Sequence, residues 1–282
     1  MEERARGQGP STSSRWGEAM GMKGTTKMKG TRLPATTGRL ARCSLRVLGW
    51  IALILGAAAS QAEPSSAGED GSNGSRVVYS IDFTGQPSGK AVDWLEQQDF
   101  ELQLRAKALD PRFTDEGLML STDGRLAGLF ARKLELPRAD RIRVVWGVER
   151  YPEGANWNEG VYRVPIAVMV SFGEKEIESG SFFVPDAPYF ISLFLGQNAD
   201  PGKSYVANYY HKGGRYFCVP CNAPVGETVT TEFDLVEAFR EEFDQTEVPP
   251  ITSFSFQMNT EDTRGGARAY LSRVEFLVDE KE

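Results

Sequence analysis

The feature that most restricts the fold of this chain is a long series of short segments, spanning residues 77–279, in which apolar and polar residues alternate. In the segment 141–149, for example, Val144, Trp146 and Val148 fall on one face of an extended chain. Alternation with a period of two, with β-branched and aromatic residues and with Gly, Pro, Asn or Asp at the joints, is typical of β-strands. The segments therefore predict a protein built mainly from strands.

The predicted strands are Val77–Phe83, Phe100–Lys107, Gly117–Ser121, Ala127–Leu136, Arg141–Glu149, Val161–Phe172, Ser181–Val184, Tyr189–Gly196, Ser204–His211, Arg215–Cys218, Thr228–Phe233, Ile251–Asn259 and Ala267–Asp279. So many strands with so little helix predict an all-β fold of two packed antiparallel sheets, a jelly-roll-like β-sandwich.

One short helix is predicted near residues 234–244, where Asp234 can cap the first turn. Its apolar residues fall on one face: Val236, Phe239 and Phe243. Pro249 and Pro250 prevent its continuation. A helical turn is also compatible with residues 91–97.

The N-terminal part has the order of a secretory signal peptide. Basic residues precede an uncharged run, Val47–Ala59, which ends in the small-residue segment Ser60–Ala62. The run is shorter than the roughly 20 residues of a comfortable membrane span. We therefore predict cleavage near Ala62 and export to the periplasm or the extracellular space. The start codon stays open among four methionines, Met1, Met20, Met22 and Met28.

This organisation divides the chain into an N-terminal extension with signal peptide (1–62), a Gly- and Ser-rich flexible linker (63–75) and one β-sandwich domain (76–282). After Ala62 the chain holds 22 basic and 36 acidic residues, a net charge of about −14. Such a charge repels nucleic acid and anionic lipid surfaces, so neither is an expected partner. After cleavage, an integral membrane protein is not expected either.

Two cysteines follow the predicted cleavage site, Cys218 and Cys221. In an oxidising compartment, a local disulfide is the expected state. A haem attachment motif would need His where Asn222 stands, and a zinc site would need two more ligands in a segment with a single His, His211. A redox pair would need a helix N-terminus at the first cysteine, whereas the following residues indicate loop and strand.

The order of several short motifs resembles the exported bacterial family called domain of unknown function 3047. The matching segments are 124–129, 136–137, 142–146, the strand end at Phe172, 233–243, 249–251, 258–263, 269–270 and 274–276. Where that family carries an acidic pair before its central strand, this chain has Asn158-Glu159-Gly160-Val161. The resemblance implies an architecture like that of carbohydrate-binding jelly rolls, and the activity of the family is unassigned.

The segment Glu232-Phe233-Asp234-Leu235-Val236-Glu237 matches the Glu-x-Asp-x-x-Glu strand of laminarinase-type glycosidases. In a retaining mechanism, Glu232 and Glu237 would serve as nucleophile and general acid, with carboxyl groups about 5–5.5 Å apart. Two observations oppose this interpretation. Only 45 residues follow Glu237, and the apolar spacing of the segment fits a helix rather than one strand.

A calcium site is a second hypothesis, based on the segment 259–263. Asn259, Glu261 and Asp262 supply clustered oxygen atoms at a predicted strand end, and such ligands suit Ca²⁺. The alternative is a polar turn in which these side chains bond to their own backbone.

Aromatic residues beside Asn- and Gly-rich segments form the third hypothesis. Tyr151, Trp157, Tyr209 and Tyr210 have the composition of a glycan site, in which sugar rings stack on aromatic faces. The alternative places them in the core with a hydrogen-bonded polar tip, as predicted for Trp94 and Trp146.

Taken together, the sequence favours a non-catalytic exported β-sandwich that binds glycan or cell-envelope polysaccharide. The alternatives are a structural or interaction protein of the envelope and, on the Glu232/Glu237 motif, a glycoside hydrolase. No Gly-x-Ser-x-Gly elbow, phosphate loop or dinucleotide fingerprint is present.

Overall fold

The computed structural model describes residues 74–182 and 184–280. The predicted N-terminal extension, the signal peptide and most of the linker lie outside these residues. The strands are β1 (Ser75–Asp82), β2 (Gly89–Lys90), β3 (Glu101–Leu104), β4 (Arg112–Thr114), β5 (Gly117–Thr122), β6 (Ala127–Leu136), β7 (Arg141–Arg150), β8 (Val164–Ile177), β9 (Ala187–Gly196), β10 (Ser204–Tyr205), β11 (Gly214–Cys221), β12 (Thr228–Asp234), β13 (Ile251–Asn259) and β14 (Ala267–Asp279). The helices are α1 (Val92–Gln97) and α2 (Leu235–Phe243), with 3₁₀ turns at Ala106–Leu109 and Trp157–Glu159.

The strands form two seven-stranded sheets. The first sheet has the order β12-β7-β14-β5-β4-β2, and β1 pairs with β14 beside this path. The second sheet has the order β10-β11-β9-β8-β13-β6-β3. The predicted all-β two-sheet sandwich is confirmed.

The prediction of purely antiparallel pairing is wrong for one pair of strands, because β11 runs parallel to β9, and the isolated bridge between Val148 and Val225 is parallel as well. A parallel neighbour needs a long connection that returns the chain to the same end of the sheet. The segment 197–213, which includes β10, provides that connection.

The main core lies between the two sheets and is rich in phenylalanine. Phe256 of β13 stacks on Phe130 of β6, with ring centroids 4.7 Å apart, and makes edge contacts with Phe83 and Phe100. From the opposite sheet, Trp146 is fully buried and donates its Nε1–H to the Thr231 hydroxyl at 3.0 Å. The alternation predicted for β7 thus places its apolar face in this core.

Helix α2 follows the prediction closely. The Asp234 carboxylate accepts a hydrogen bond from the Glu237 N–H at 2.7 Å, which is an N-cap. Phe239 packs against Phe172 of β8 and Tyr189 of β9. The buried face differs from the predicted one, because Leu235 and Ala238 are buried and Val236 is only half-buried.

Several predicted strands are shorter or absent. In the predicted strand 181–184, the described residues 181, 182 and 184 are not in a strand, and the Ser179 hydroxyl donates to the Val184 carbonyl at 2.6 Å, which holds a local turn. The segment 204–211 keeps only β10, since Tyr210 has φ 59° and reverses the chain. The segment 100–107 is divided into β3 and a 3₁₀ turn. Within the described residues, neither helix is long or apolar enough to cross a membrane.

Candidate functional site

The second sheet is apolar on both faces, and its face away from the first sheet carries a separate cluster. Along β8 and β9, Ile166 and Leu193 point into the main core, whereas Ala167, Met169 and Phe194 belong to the second cluster. A strand buried on both faces has an almost continuous apolar sequence. Something other than the first sheet must therefore cover this outer face, and loops rich in aromatic residues do so.

Trp157 is the centre of this covering layer. It is 4 % exposed and stacks on Phe194, with ring centroids 4.0 Å apart and planes inclined by 20°. Its indole Nε1–H donates to the Arg163 carbonyl at 3.1 Å. The Asn156 side chain caps the 3₁₀ turn that carries Trp157, by accepting from the Asn158 N–H at 3.1 Å.

The loop between β10 and β11 supplies two further rings. Tyr210 is buried, its ring meets Phe190 edge-on at 5.5 Å, and its hydroxyl donates to the Pro185 carbonyl at 2.9 Å. Burial raises the pKa of Tyr210 well above its ordinary value. Tyr209, the preceding residue, is half-buried and faces the same cluster.

These elements enclose a cavity of about 40 Å³, which we call the outer-face cavity. Its aromatic lining consists of Trp157, Tyr162, Tyr209, Tyr210 and Tyr216. Its polar lining consists of Arg163, Ser192, Asn208, Gln257 and Asn259. Small-molecule sites combine mostly apolar walls with a few convergent polar groups, and this cavity has both, in a volume far below the roughly 300–1,000 Å³ that is usual for such sites.

Four polar side chains that line the outer-face cavity are buried: Arg163, Ser192, Gln257 and Asn259. Ser192 is fully buried, and within 74–182 and 184–280 its Oγ has no hydrogen-bond partner. Gln257 is 5 % exposed. Buried hydroxyl groups normally have partners, so the Ser192 side chain marks the cavity as more than a packing gap.

Arg163 connects two segments at the rim of the outer-face cavity through hydrogen bonds. Its guanidinium donates to the carbonyls of Glu261 at 2.6 Å and Tyr162 at 2.9 Å, and it pairs with the Asp262 carboxylate. These bonds fix the turn after β13 beside the Trp157 segment. The Arg163 side chain is only 10 % exposed, and these contacts use its guanidinium N–H groups. Its charge therefore stabilises the turn and is not available to a ligand.

The predicted calcium residues lie at this same turn. The Asn259 Oδ1 accepts from the Glu261 N–H at 3.1 Å, and Asp262 pairs with Arg163. Burial raises the pKa of the Glu261 carboxyl against the lowering effect of Arg163. Over the part of the chain that the structure describes, no group of three or more His, Cys, Asp or Glu residues is placed to hold a metal ion. The geometry is that of the polar turn, and calcium binding stays a prediction.

The two glutamates of the glycosidase motif do not share a strand. Glu232 lies on β12 and accepts hydrogen bonds from Arg141 at 3.0 Å and from Arg143 at 3.0 Å, whereas Glu237 lies in the first turn of α2. Partial burial raises the pKa of Glu232, but the bonds from the two arginines outweigh it and keep the pKa below its ordinary value. The lowered pKa suits the nucleophile role predicted for Glu232, but both of its carboxylate oxygens are engaged by arginines, and Glu237 lies on a different element.

The remaining predicted residues lie elsewhere. Tyr151 packs against the main core and donates its hydroxyl to the Ala223 carbonyl at 3.0 Å, and burial raises its pKa to about 12. Cys218 and Cys221 form a disulfide within β11, as predicted. The structure thus brings together Trp157, Tyr209 and Tyr210 of the four predicted aromatic residues.

Sequence reasoning missed the cavity residues on the strands. Ser192 is the single polar residue within the apolar segment 190–196, and Gln257 is, with Ser255, one of two polar residues within the segment 254–258. Isolated polar residues inside buried strands are a usable signal, because burial of an unpaired polar group is costly.

The comparisons with known proteins add little to this description. No family model matches the chain, and no curated protein matches it. The resemblance to domain of unknown function 3047 stays a prediction. Among solved structures, the chain is similar to the carbohydrate-binding module TmCBM61 in complex with β-1,4-galactotriose, at 10 % identity and a TM-score of 0.33, over 71 % of this chain and 99 % of that chain. A likeness this low carries no argument, so function has to be argued from the geometry of the cavity.

Proposed function

We propose that this chain is an exported β-sandwich protein that binds glycan at the outer-face cavity, without catalysing a reaction. The observation that carries the proposal is the convergence of aromatic rings with hydroxyl and amide groups at one concave site. Half-buried Tyr162 and Tyr209 form its rim, and buried Ser192 and Gln257 form its floor. Rings that offer an apolar face beside polar groups suit a sugar, which has apolar C–H faces and polar hydroxyls.

The charges at the cavity favour binding over hydrolysis. Among the described residues, no Asp or Glu lines the outer-face cavity. Glycoside hydrolysis by the usual mechanism needs a pair of carboxyl groups that flank the scissile bond. The residues present can hold a sugar, but they cannot protonate a leaving group or activate water in that way.

An interaction protein of the cell envelope is the second candidate, supported by a larger concavity. A groove of about 490 Å³ on the second sheet has charged lining residues that are mostly acidic: Glu101, Glu135, Glu174, Glu176 and Asp186, with Arg132 and Lys133. Such a surface would attract a basic partner and would repel anionic polysaccharide.

Replacement of Tyr209 by alanine tests the binding proposal. Loss of one ring that stacks on the ligand should weaken glycan binding about tenfold, since an aromatic contact contributes about 0.5–1.5 kcal/mol beyond its buried area. A glycan array probed with the purified protein, followed by calorimetric titration of the best ligand, measures the effect.

The matched control is Tyr151→Ala, because Tyr151 lies against the main core and away from the cavity. This variant should bind as the unsubstituted protein does. Failure to bind any glycan on the array would refute the proposed function and favour the interaction protein. Equal losses in the two variants would refute the assignment of the site.

A further inference from the structure

The size of the outer-face cavity limits what can enter it. One water molecule requires roughly 10–15 Å³ of cavity volume, so the outer-face cavity, at about 40 Å³, has room for about three waters. A pyranose ring with its hydroxyls is several times larger. If a sugar binds here, its ring must stay at the rim and only a short substituent can reach the floor.

Strand pairing gives the floor a recessed apolar centre. In the second sheet, β8 lies between β9 and β13. Ala167 of β8 pairs with Gln257 on one side, and Met169, the next residue on the same face, pairs with Ser192 on the other. Ala167 itself pairs with Phe194 of β9, so its methyl group lies beside the Gln257 amide and diagonally across from the Ser192 hydroxyl, one same-face position along β9.

The two polar groups favour a ligand that can both accept and donate hydrogen bonds. The Ser192 hydroxyl is fully buried and has no partner in the described part of the chain, and a hydroxyl can always donate one hydrogen bond. Gln257 can donate through its amide nitrogen and accept through its oxygen. The complementary substituent carries a carbonyl oxygen, an N–H group and a small apolar end.

Resting on the proposed function, we propose that the outer-face cavity receives the acetamido group of an N-acetylated amino sugar. The acetamido methyl lies on Ala167 and Val164, which both line the cavity. Its carbonyl oxygen accepts from Ser192, and Gln257 bonds to the remaining polar atom. A hydroxymethyl group would leave the apolar part of the floor uncovered. A free ammonium would offer the Ser192 hydroxyl no acceptor and would meet no carboxylate.

Three trisaccharides of one linkage test this inference with the full-length chain. Titrations with tri-N-acetylchitotriose, cellotriose and chitotriose compare acetamido, hydroxyl and amino groups at the same ring position. We expect tri-N-acetylchitotriose to bind at least tenfold more tightly than either of the others. Equal affinities for the three would overturn the acetamido assignment and leave glycan binding intact, whereas a chain that binds no glycan on the array would overturn both.

Two substitutions locate the acetamido group. Ser192→Ala should weaken tri-N-acetylchitotriose about tenfold and cellotriose less than twofold. Ala167→Leu, which fills the recess, should remove the preference between the two sugars. Ser204→Ala is the matched control, because Ser204 also has a buried Oγ without a partner among residues 74–182 and 184–280, but does not line the cavity. If Ser192→Ala binds both sugars unchanged, bound water alone satisfies the hydroxyl and the inference is overturned.

Discussion

Replacement of Trp157 by alanine should lower the free energy of unfolding by about 3–5 kcal/mol and abolish glycan binding, the largest combined effect that we expect of one substitution. Trp157 is nearly buried, stacks on Phe194 and contacts Tyr162, Tyr205 and Tyr216. Its removal leaves a cavity beneath the binding site and releases the rings that form the walls. Total stabilities of about 5–15 kcal/mol are typical, so the loss is a large share.

Urea unfolding, followed by circular dichroism, measures this effect. The graded control is Trp157→Phe, which keeps a ring on Phe194 but loses the hydrogen bond to the Arg163 carbonyl. We expect this variant to lose about 1–2 kcal/mol and to keep measurable binding. A Trp157→Ala protein that loses less than about 1 kcal/mol would show that the indole is not packed as described.

Replacement of Phe256 by alanine should cost a similar 3–5 kcal/mol but leave the affinity for glycan unchanged. Phe256 is fully buried between the sheets, where it stacks on Phe130 and touches Phe83 and Phe100. Its side chain points to the main core and away from the outer face, since side chains alternate along β13. The substitution should therefore lower the free energy of unfolding without changing the affinity for glycan.

Differential scanning calorimetry should show a fall of about 10 °C in the melting temperature of Phe256→Ala. Phe256→Leu, which keeps most of the apolar volume, should cost about 1 kcal/mol. Affinity is measured well below the lower melting temperature, so that both proteins are folded. A Phe256→Ala protein that is folded but has lost glycan binding would contradict the separation of the two faces.

The sequence predicted the parts of the fold that depend on local pattern. The alternation in β7 and the Asp234 cap of α2 are local signals, and both match the structure. Tyr210 could not be predicted in the same way, because its left-handed backbone ends a segment whose composition favours a strand. The parallel pairing of β11 with β9 depends on the path of a long connection, which no residue pattern specifies.

The candidate site was also predictable only where the signal is local in sequence. Aromatic residues beside Asn and Gly led to Trp157 and Tyr209, which line the cavity, and also to Tyr151, which packs against the main core. Composition does not tell which face of the sandwich a loop covers. Ser192 and Gln257 lie on strands that are distant in sequence. They line the floor of one cavity because β9 and β13 are the two strands that pair with β8, one on each side of it. Strand order had to be known before these two residues could be placed at one site.

The most direct measurement of the central claim is a titration of full-length protein labelled with ¹⁵N in its tryptophans, using the glycan with the strongest array signal. The Trp157→Phe spectrum assigns the indole resonance of Trp157, which lines the outer-face cavity, and Trp94 and Trp146 report on the main core. We predict that saturation shifts the Trp157 resonance and leaves those of Trp94 and Trp146 in place. A bound glycan that shifts Trp146 or Trp94 but not Trp157 would contradict binding at the outer-face cavity.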